Sequence, residues 1–197
     1  MLTALSRLLV ILMTVNSFIL RIGRFVAWVS LALMVLVILL QVVFRYIFNN
    51  ALPWPDEAAR FLMLWMTGLI APSAYRWGGF VAIDMVPMAL PKRVGLALML
   101  VLLLLSAAVL FVAIGFGWNH TMGFGGNFDS SSLKIPLDLI GLESIKVKLR
   151  YMYMSLLVGV TLLLVINVEL VIRTILELLD PEISLPGDDQ VIVAGAD

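Results

Sequence analysis

The sequence predicts an all-α integral membrane protein with four transmembrane helices and an N-terminal interfacial helix. Hydrophobic residues make up 62% of the 197-residue chain, against about 45–50% in soluble domains. Charged residues make up only 13%, about half of the usual share. A chain of this length cannot bury so much apolar surface in a soluble core, so the excess is expected to face lipid.

Composition also argues against several classes of function. The chain has no cysteine, so it can form neither a disulfide framework nor a thiolate metal site. Its formal net charge is zero, without the basic excess that is typical of nucleic-acid binding. Its one histidine, His120, cannot supply both axial ligands of a membrane cytochrome. We therefore predict a protein that is not an enzyme and holds no cofactor or metal.

Three apolar runs are long enough to cross a bilayer. They lie at about residues 25–44, 94–117 and 151–172, and each exceeds the roughly 18–20 residues needed to cross about 30 Å of hydrocarbon. The run at 94–117 contains fifteen Val, Leu, Ile or Phe residues, which favour insertion by about 5–9 kcal/mol. These three runs are predicted to be transmembrane helices.

The fourth predicted span, at about residues 58–75, is much weaker. It contains five Val, Leu, Ile or Phe residues together with Arg60 and Pro72, so its apolar side chains favour insertion by only about 1.5–3 kcal/mol. Arg60 lies near the start of the span, where its side chain can reach the interface at a lower cost than at the centre. We expect this helix to need neighbouring helices and to pack against protein over much of its surface.

The N-terminal stretch, at about residues 3–22, is predicted to be an interfacial helix. Its polar side chains fall within an arc of about 100° at helical pitch, and they are Thr3, Ser6, Arg7, Thr14, Ser17, Arg21 and Arg24. The apolar run from Leu8 to Leu20 is too short to span a bilayer. No small-residue cleavage site follows it, so we expect it to be retained. These polar residues stay on the same helical face past Gly23, so the N-terminal helix and the first span can form one bent helix.

These elements predict one membrane domain at residues 1–175 and an exposed acidic tail at 176–197. Glu169 is the only acid well inside a span, and Arg173 follows four residues later, at a spacing that permits an ion pair. The long connection at 118–150 is mixed in composition and is expected to lie on the membrane surface.

The distribution of basic residues predicts that both termini are cytoplasmic. Four spans place the two termini on the same side of the membrane. The Lys and Arg residues on that side are Arg7, Arg21, Arg24, Arg76, Lys92, Arg93 and Arg173, and those on the other side are Arg45, Lys134, Lys146, Lys148 and Arg150. The small excess on the terminal side favours a cytoplasmic location, although the basic residues before the fourth span oppose it.

The start of the second span carries an unusual group of charges. Pro55 suits the first turn of a helix, and the helix dipole favours Asp56 and Glu57 behind it. Arg60 stands four and three residues after these acids, so it can pair with either. The group is interpreted as a capped, interface-anchored helix start or as a docking point for another subunit. A catalytic carboxylate pair is not expected, because no histidine, cysteine or metal-ligand cluster stands nearby.

Three segments carry a resemblance to a known family. The stretches "FRYIFNNALPWPDEAARFLMLW", "RWGGFVAID" and "LPKR" resemble the DctQ family, the small membrane subunit of tripartite ATP-independent periplasmic (TRAP) transporters. The residues that match the family pattern are Arg45, Tyr46, Trp54, Asp56, Glu57, Arg60, Trp65, Arg76, Gly78, Gly79, Asp84, Leu90 and Pro91. Phe80 stands where the family usually has histidine, so a polar role of that position is not carried over to this chain.

The resemblance implies a role in transport across the bacterial inner membrane. A periplasmic binding protein would deliver the solute, an organic acid such as a C4-dicarboxylate or another carboxylate. A large membrane subunit would move it with a sodium gradient and would bind the sodium. The small subunit would brace that large subunit, and the matching residues from Arg45 to Asp84 would form an assembly or docking motif.

Two other classes of function remain as alternatives. A stand-alone transporter or channel predicts polar residues along the spans and internal repeats, and the sequence shows neither. A membrane anchor or electron-transfer subunit of another inner-membrane complex predicts clusters of ligand residues if it carries a redox centre. A neighbouring gene for a large hydrophobic protein and one for a secreted binding protein would favour the transporter subunit.

Overall fold

The computed structural model describes residues 2–78, 87, 90–135 and 145–179. It contains four long helices: α1 (Leu2–Tyr46), α2 (Pro55–Arg76), α3 (Lys92–Met122) and α4 (Arg150–Leu179). Between α3 and α4 lie a short 3₁₀ helix (Phe124–Asn127) and two strands, β1 (Asp129–Ile135) and β2 (Ile145–Lys148). The acidic tail predicted at 176–197 falls outside the described residues from position 180 onward.

The predicted interfacial helix and first span form one continuous helix. α1 is 45 residues long, which corresponds to about 68 Å at 1.5 Å per residue. This is about twice the thickness of the hydrocarbon core, so a large part of α1 must run along the interface or outside the bilayer. No break separates the two predicted segments in the region around Gly23.

Three of the described helices, α1, α3 and α4, are long and apolar enough to cross a membrane. α2 does not reach the same hydropathy, in agreement with its weak predicted insertion energy. The all-helical membrane class is therefore supported, while the count of four spans and a separate interfacial helix stays a prediction.

The described helix ends follow local sequence signals. α1 ends at Tyr46, and Asn49 behind it adopts a left-handed conformation with φ of 49°, which asparagine tolerates better than most residues. α2 ends at Arg76, and Gly78 has φ of 73°, where the absence of a Cβ atom removes the steric penalty. Gly78 therefore suits the end of this helix, and Gly79 lies outside the described residues.

The chain divides into two compact units. The first comprises residues 1–22, 71–112 and 161–197. Its apolar core contains the buried side chains of Leu9 and Leu176, with Met13 and Ile172 packed against them. This core joins the N-terminal part of α1 to the C-terminal part of α4.

The second unit comprises residues 23–70 and 113–160. Its helices approach closely at glycines. A Cβ atom on Gly68 of α2 would lie 2.6 Å from the carbonyl oxygen of Ser155 in α4, and one on Gly159 would lie 2.9 Å from the Cα atom of Gly68. Small residues at such crossings let two backbones pack directly, as is common between membrane helices.

The second unit also contains the β-hairpin, which the sequence analysis did not predict. β1 pairs with β2 in antiparallel register, with Asp129 opposite Lys148 and Lys134 opposite Lys146, and the pairing is irregular between these two points. β2 reads "IKVK", an alternation of apolar and basic residues that suits a strand with one solvated face. Four residues are too few for this pattern to stand out from the surrounding apolar sequence.

Candidate functional site

The charged start of α2 lies in the second unit. The carbonyl group of Trp54 accepts a hydrogen bond of 3.0 Å from the backbone N–H of Ala58, so Trp54 caps the helix. Pro55 is buried in the first turn, while the side chains of Asp56 and Arg60 are exposed. Neither Asp56 nor Glu57 forms an ion pair with Arg60, which corrects the pairing expected from their helical spacing.

Glu57 instead binds the hairpin. Its Oε2 atom accepts hydrogen bonds from the backbone N–H groups of Ser132 at 2.6 Å and Leu133 at 2.8 Å. It also accepts one from the hydroxyl group of Ser132 at 2.5 Å, and the Ser131 hydroxyl group lies 3.4 Å from Oε1. One carboxylate of α2 therefore fixes the middle of β1. We call Glu57 with Ser130, Ser131, Ser132 and Leu133 the glutamate clasp.

The electrostatics of the clasp favour the ionised carboxylate. Burial by itself raises the pKa of Glu57, but hydrogen bonds from Ser132, Ser130 and the backbone of Leu133 outweigh this effect and lower the pKa to about 2. Hydrogen bonds to the charged form of an acid act in this direction. Glu57 is therefore expected to be ionised at neutral pH.

Trp65 makes a second connection in the same unit. Its indole Nε1–H donates a hydrogen bond of 3.1 Å to the backbone carbonyl group of Tyr151, in the first turn of α4. Because Glu57 contacts β1 and Trp65 contacts the start of α4, the first turns of α2 run beside the hairpin. This position explains why polar residues are concentrated there.

Arg76, another of the residues that match the family pattern, lies in the first unit. Its Nη2 atom lies 2.8 Å from Oε1 of Glu169 in a buried ion pair, and its Nε–H donates to the same oxygen at 2.9 Å. Asn16 donates to Oε2 of Glu169 at 2.5 Å, and Arg76 also donates to the hydroxyl group of Ser17 at 2.7 Å. These four residues form a polar cluster that joins α1, α2 and α4.

The cluster corrects the pairing predicted for Glu169. Arg173 donates to Glu177 at 3.1 Å instead, because both lie on the same face of α4 one turn apart. Glu169 is only 3% exposed, and a buried carboxylate needs a partner that reaches it with several donors. Arg76 meets that need through two nitrogen atoms of its guanidinium group.

Sequence reasoning missed two members of this region. Asn16 was not among the polar side chains of the N-terminal stripe, and its position off that arc is a signal that it has a buried partner. Asn167 is fully buried and donates to the Tyr75 hydroxyl group at 2.6 Å. An asparagine within an apolar run is costly in lipid, which in retrospect indicates a packed helix face.

The remaining candidate residues are placed as follows. Arg45 is exposed at the end of α1. Asp84 and Phe80 lie outside the described residues. Within the described ranges no group of three His, Cys, Asp or Glu side chains is arranged to hold a metal ion. The site offers hydrogen bonding and charge for binding.

A comparison with known families covers the glutamate clasp and part of the polar cluster. Residues 34–177 match the model of the DctQ component of tripartite ATP-independent periplasmic transporters. The matched segment contains the glutamate clasp, Trp65 and the Arg76–Glu169 ion pair. No curated protein matches the chain. Because the family model covers well over half of the sequence, the chain belongs to the DctQ family of TRAP transporter components.

Proposed function

We propose that this chain braces the large membrane subunit of a TRAP transporter during sodium-driven uptake of a solute. Membership of the DctQ family makes it the small component of a tripartite transporter, a family of transport components rather than enzymes. The proposed solute is an organic acid, such as a C4-dicarboxylate, delivered by a periplasmic binding protein. Sodium and solute would bind to the large subunit, and this chain would hold no cofactor.

The observation that supports a bracing role is that a buried charge in α4 is bound by side chains of other helices. A transport path leaves ionisable groups available to an ion or substrate. Glu169, a buried acid of α4, is instead occupied by Arg76 and Asn16. These contacts join three helices, so the charge stabilises a fixed arrangement of α1, α2 and α4. A polar cluster that holds helices together in this way suits a subunit against which another subunit moves.

The proposed contact with partner subunits uses the charges that the fold leaves exposed. Asp56 and Arg60 are exposed at the start of α2, and Arg45 is exposed at the end of α1. Exposed charges of this kind steer and orient partners more than they stabilise the fold. The chain is proposed to lie in the bacterial inner membrane with this surface on the periplasmic side.

Reconstitution tests the proposed function. The chain, the large membrane subunit encoded beside it and the binding protein are purified and combined in proteoliposomes with an inward sodium gradient. We expect the chain to co-purify one-to-one with the large subunit, and we expect uptake of a labelled carboxylate only when all three components are present. Sodium-driven uptake by this chain alone would overturn the bracing role.

A further inference from the structure

The connection between α3 and α4 exposes aromatic side chains outside the long helices. Phe124 is 82% exposed and Phe128 is 52% exposed, and their rings meet edge to face with centroids 5.2 Å apart. Trp118, in the last turns of α3, is 56% exposed. Aromatic rings at the ends of membrane helices are typical of the headgroup level of a bilayer.

The contacts of this connection place the two phenylalanines at the start of α4. The backbone N–H of Leu149 donates to the carbonyl group of Phe128 at 3.0 Å, and the guanidinium group of Arg150 donates to the side-chain oxygen of Asn127. α4 is long and apolar enough to cross a membrane and begins at Arg150. Asn127 and Phe128 are therefore held beside the first residues of α4, the end from which this helix is expected to enter the bilayer.

Basic residues lie in the strand beside them. Lys146 and Lys148 are both exposed, and their spacing of two places them on one face of β2. The register sets Asp129 opposite Lys148. Among the described residues, neither Lys146 nor Lys148 forms an ion pair. This arrangement is favourable when an anion from outside the chain lies against the strand.

We propose that the connection between α3 and α4 is a membrane-surface anchor that binds anionic phospholipid headgroups. Phe124 and Phe128 enter the boundary between headgroups and acyl chains, and Lys146 and Lys148 contact the lipid phosphates. Aromatic and basic residues together are the usual composition of segments that lie on anionic membranes. The position beside the first turn of α4 favours lipid over an acidic protein as the occupant. The inference is independent of the transport role.

Lipid selectivity tests this anchor. The full chain is reconstituted with spin-labelled phosphatidylglycerol or phosphatidylcholine, and the fraction of immobilised lipid gives the relative association constant of the two lipids. We expect the parent to prefer phosphatidylglycerol, and the variant K146Q/K148Q to reduce that preference by about twofold or more. The matched control R21Q/R93Q removes two exposed basic side chains elsewhere and is expected to reduce it less.

A second measurement tests the depth of the aromatic pair. The cysteine-free chain accepts a single nitroxide label through F124C, and collision with oxygen and with a water-soluble nickel complex reports its depth. We expect the label to lie at the headgroup boundary in vesicles that contain phosphatidylglycerol. A label in bulk water, or equal lipid preference in the parent and K146Q/K148Q, overturns the proposal. Loss of binding to an acidic partner protein without a change in lipid preference also overturns it.

Discussion

At the scale of single residues, Glu57 binds β1 of the hairpin and not Arg60, the partner that its helical spacing suggests. Its carboxylate accepts two backbone N–H bonds and one hydroxyl bond from β1. Hydrogen bonds to a charged acceptor contribute about 1.5–3 kcal/mol each before solvent screening. This one side chain therefore helps to hold the hairpin on α2.

We predict that Glu57→Gln loosens the hairpin while Asp56→Asn does not. The amide keeps the shape of the side chain but loses the charge that strengthens three hydrogen bonds, so we expect a loss of about 1–3 kcal/mol. Asp56 is exposed, which makes D56N a matched control. Hydrogen exchange at the amides of Ser132 and Leu133 measures the effect. Equal protection in both variants would contradict the clasp.

The same contact predicts a dependence on pH. The pKa of Glu57 is about 2 in the folded chain against an ordinary value of 4.5. Because the folded pKa is the lower one, the stabilisation is fully present above about pH 4.5 and is lost as the pH falls towards 2. We expect the protection of Ser132 and Leu133 to decrease over this interval in the parent. In E57Q the decrease over this interval should be smaller.

The ion pair of Arg76 and Glu169 leads to a second prediction at this scale. Removing one partner leaves a buried charge uncompensated, so Arg76→Ala and Glu169→Ala are each expected to destabilise the chain by about 3–5 kcal/mol. Glu177→Gln, on the same helix, breaks the more exposed pair with Arg173 and should cost about 0–1 kcal/mol. Thermal unfolding in detergent measures the three effects.

A double variant separates an ion pair from two independent contacts. If Arg76 and Glu169 act as a pair, R76A/E169A should lose less stability than the two single alanine variants added together. If the losses of stability in the two single variants add strictly, each side chain stabilises the chain through other neighbours, such as Ser17 or Asn16. That result would contradict the role of the ion pair.

At the scale of elements, α2 is the helix that depends most on its neighbours. Between residues 58 and 75 the exposed side chains are Arg60, Met63, Leu64, Thr67 and Ala74, and the others are partly or fully buried. This burial agrees with the expectation that a weakly apolar span packs against protein. Close packing with α4 at Gly68 replaces part of the insertion energy that the sequence of α2 lacks.

We predict that a single methyl group added at the crossing of α2 and α4 destabilises the chain. Gly68→Ala places a Cβ atom 2.6 Å from the Ser155 carbonyl oxygen, so the backbones must move apart at a cost of about 1–3 kcal/mol. Gly115→Ala in α3 meets no atom within 4 Å and should be neutral or slightly stabilising. Thermal unfolding in detergent compares the two variants. A G68A chain as stable as G115A would show that the crossing is loose.

At the scale of the whole molecule, the number of times that the chain crosses the membrane decides its topology. α1, α3 and α4 are apolar enough to cross, and α2 is expected to cross with their help. An even number of spans places the termini on the same side, and the basic residues favour the cytoplasm.

We predict that cysteines introduced at Ser6 and Ala194 are both protected from a membrane-impermeant reagent added to the periplasm. The chain has no native cysteine, so each label reports one position. Ala51, in the exposed connection between α1 and α2, is the control and should react. Labelling at both termini would reverse the orientation. Labelling at one terminus alone would mean an odd number of spans, with α2 confined to one side.

The sequence by itself determined the membrane class and the family, and it indicated the long apolar helices. These properties depend on local features: the length of an apolar run decides whether it can cross lipid, and residues such as Pro55 and Gly78 act on their own turn. The matched motif lies within one stretch of chain, so it could also be recognised without coordinates. The hairpin was missed because strand pairing joins segments whose individual patterns are too short to be read.

Only the tertiary structure decided which charges are partners. Helical spacing allows Arg60 to pair with Glu57 and Arg173 to pair with Glu169. Each such pair contributes only about a few tenths of a kcal/mol, which is too little to exclude other partners. Packing brings Glu57 to Ser132, 75 residues away, and Arg76 to Glu169, 93 residues away. In a buried setting the cost of an unpaired charge far exceeds the local preference, so the packed neighbours determine the pair.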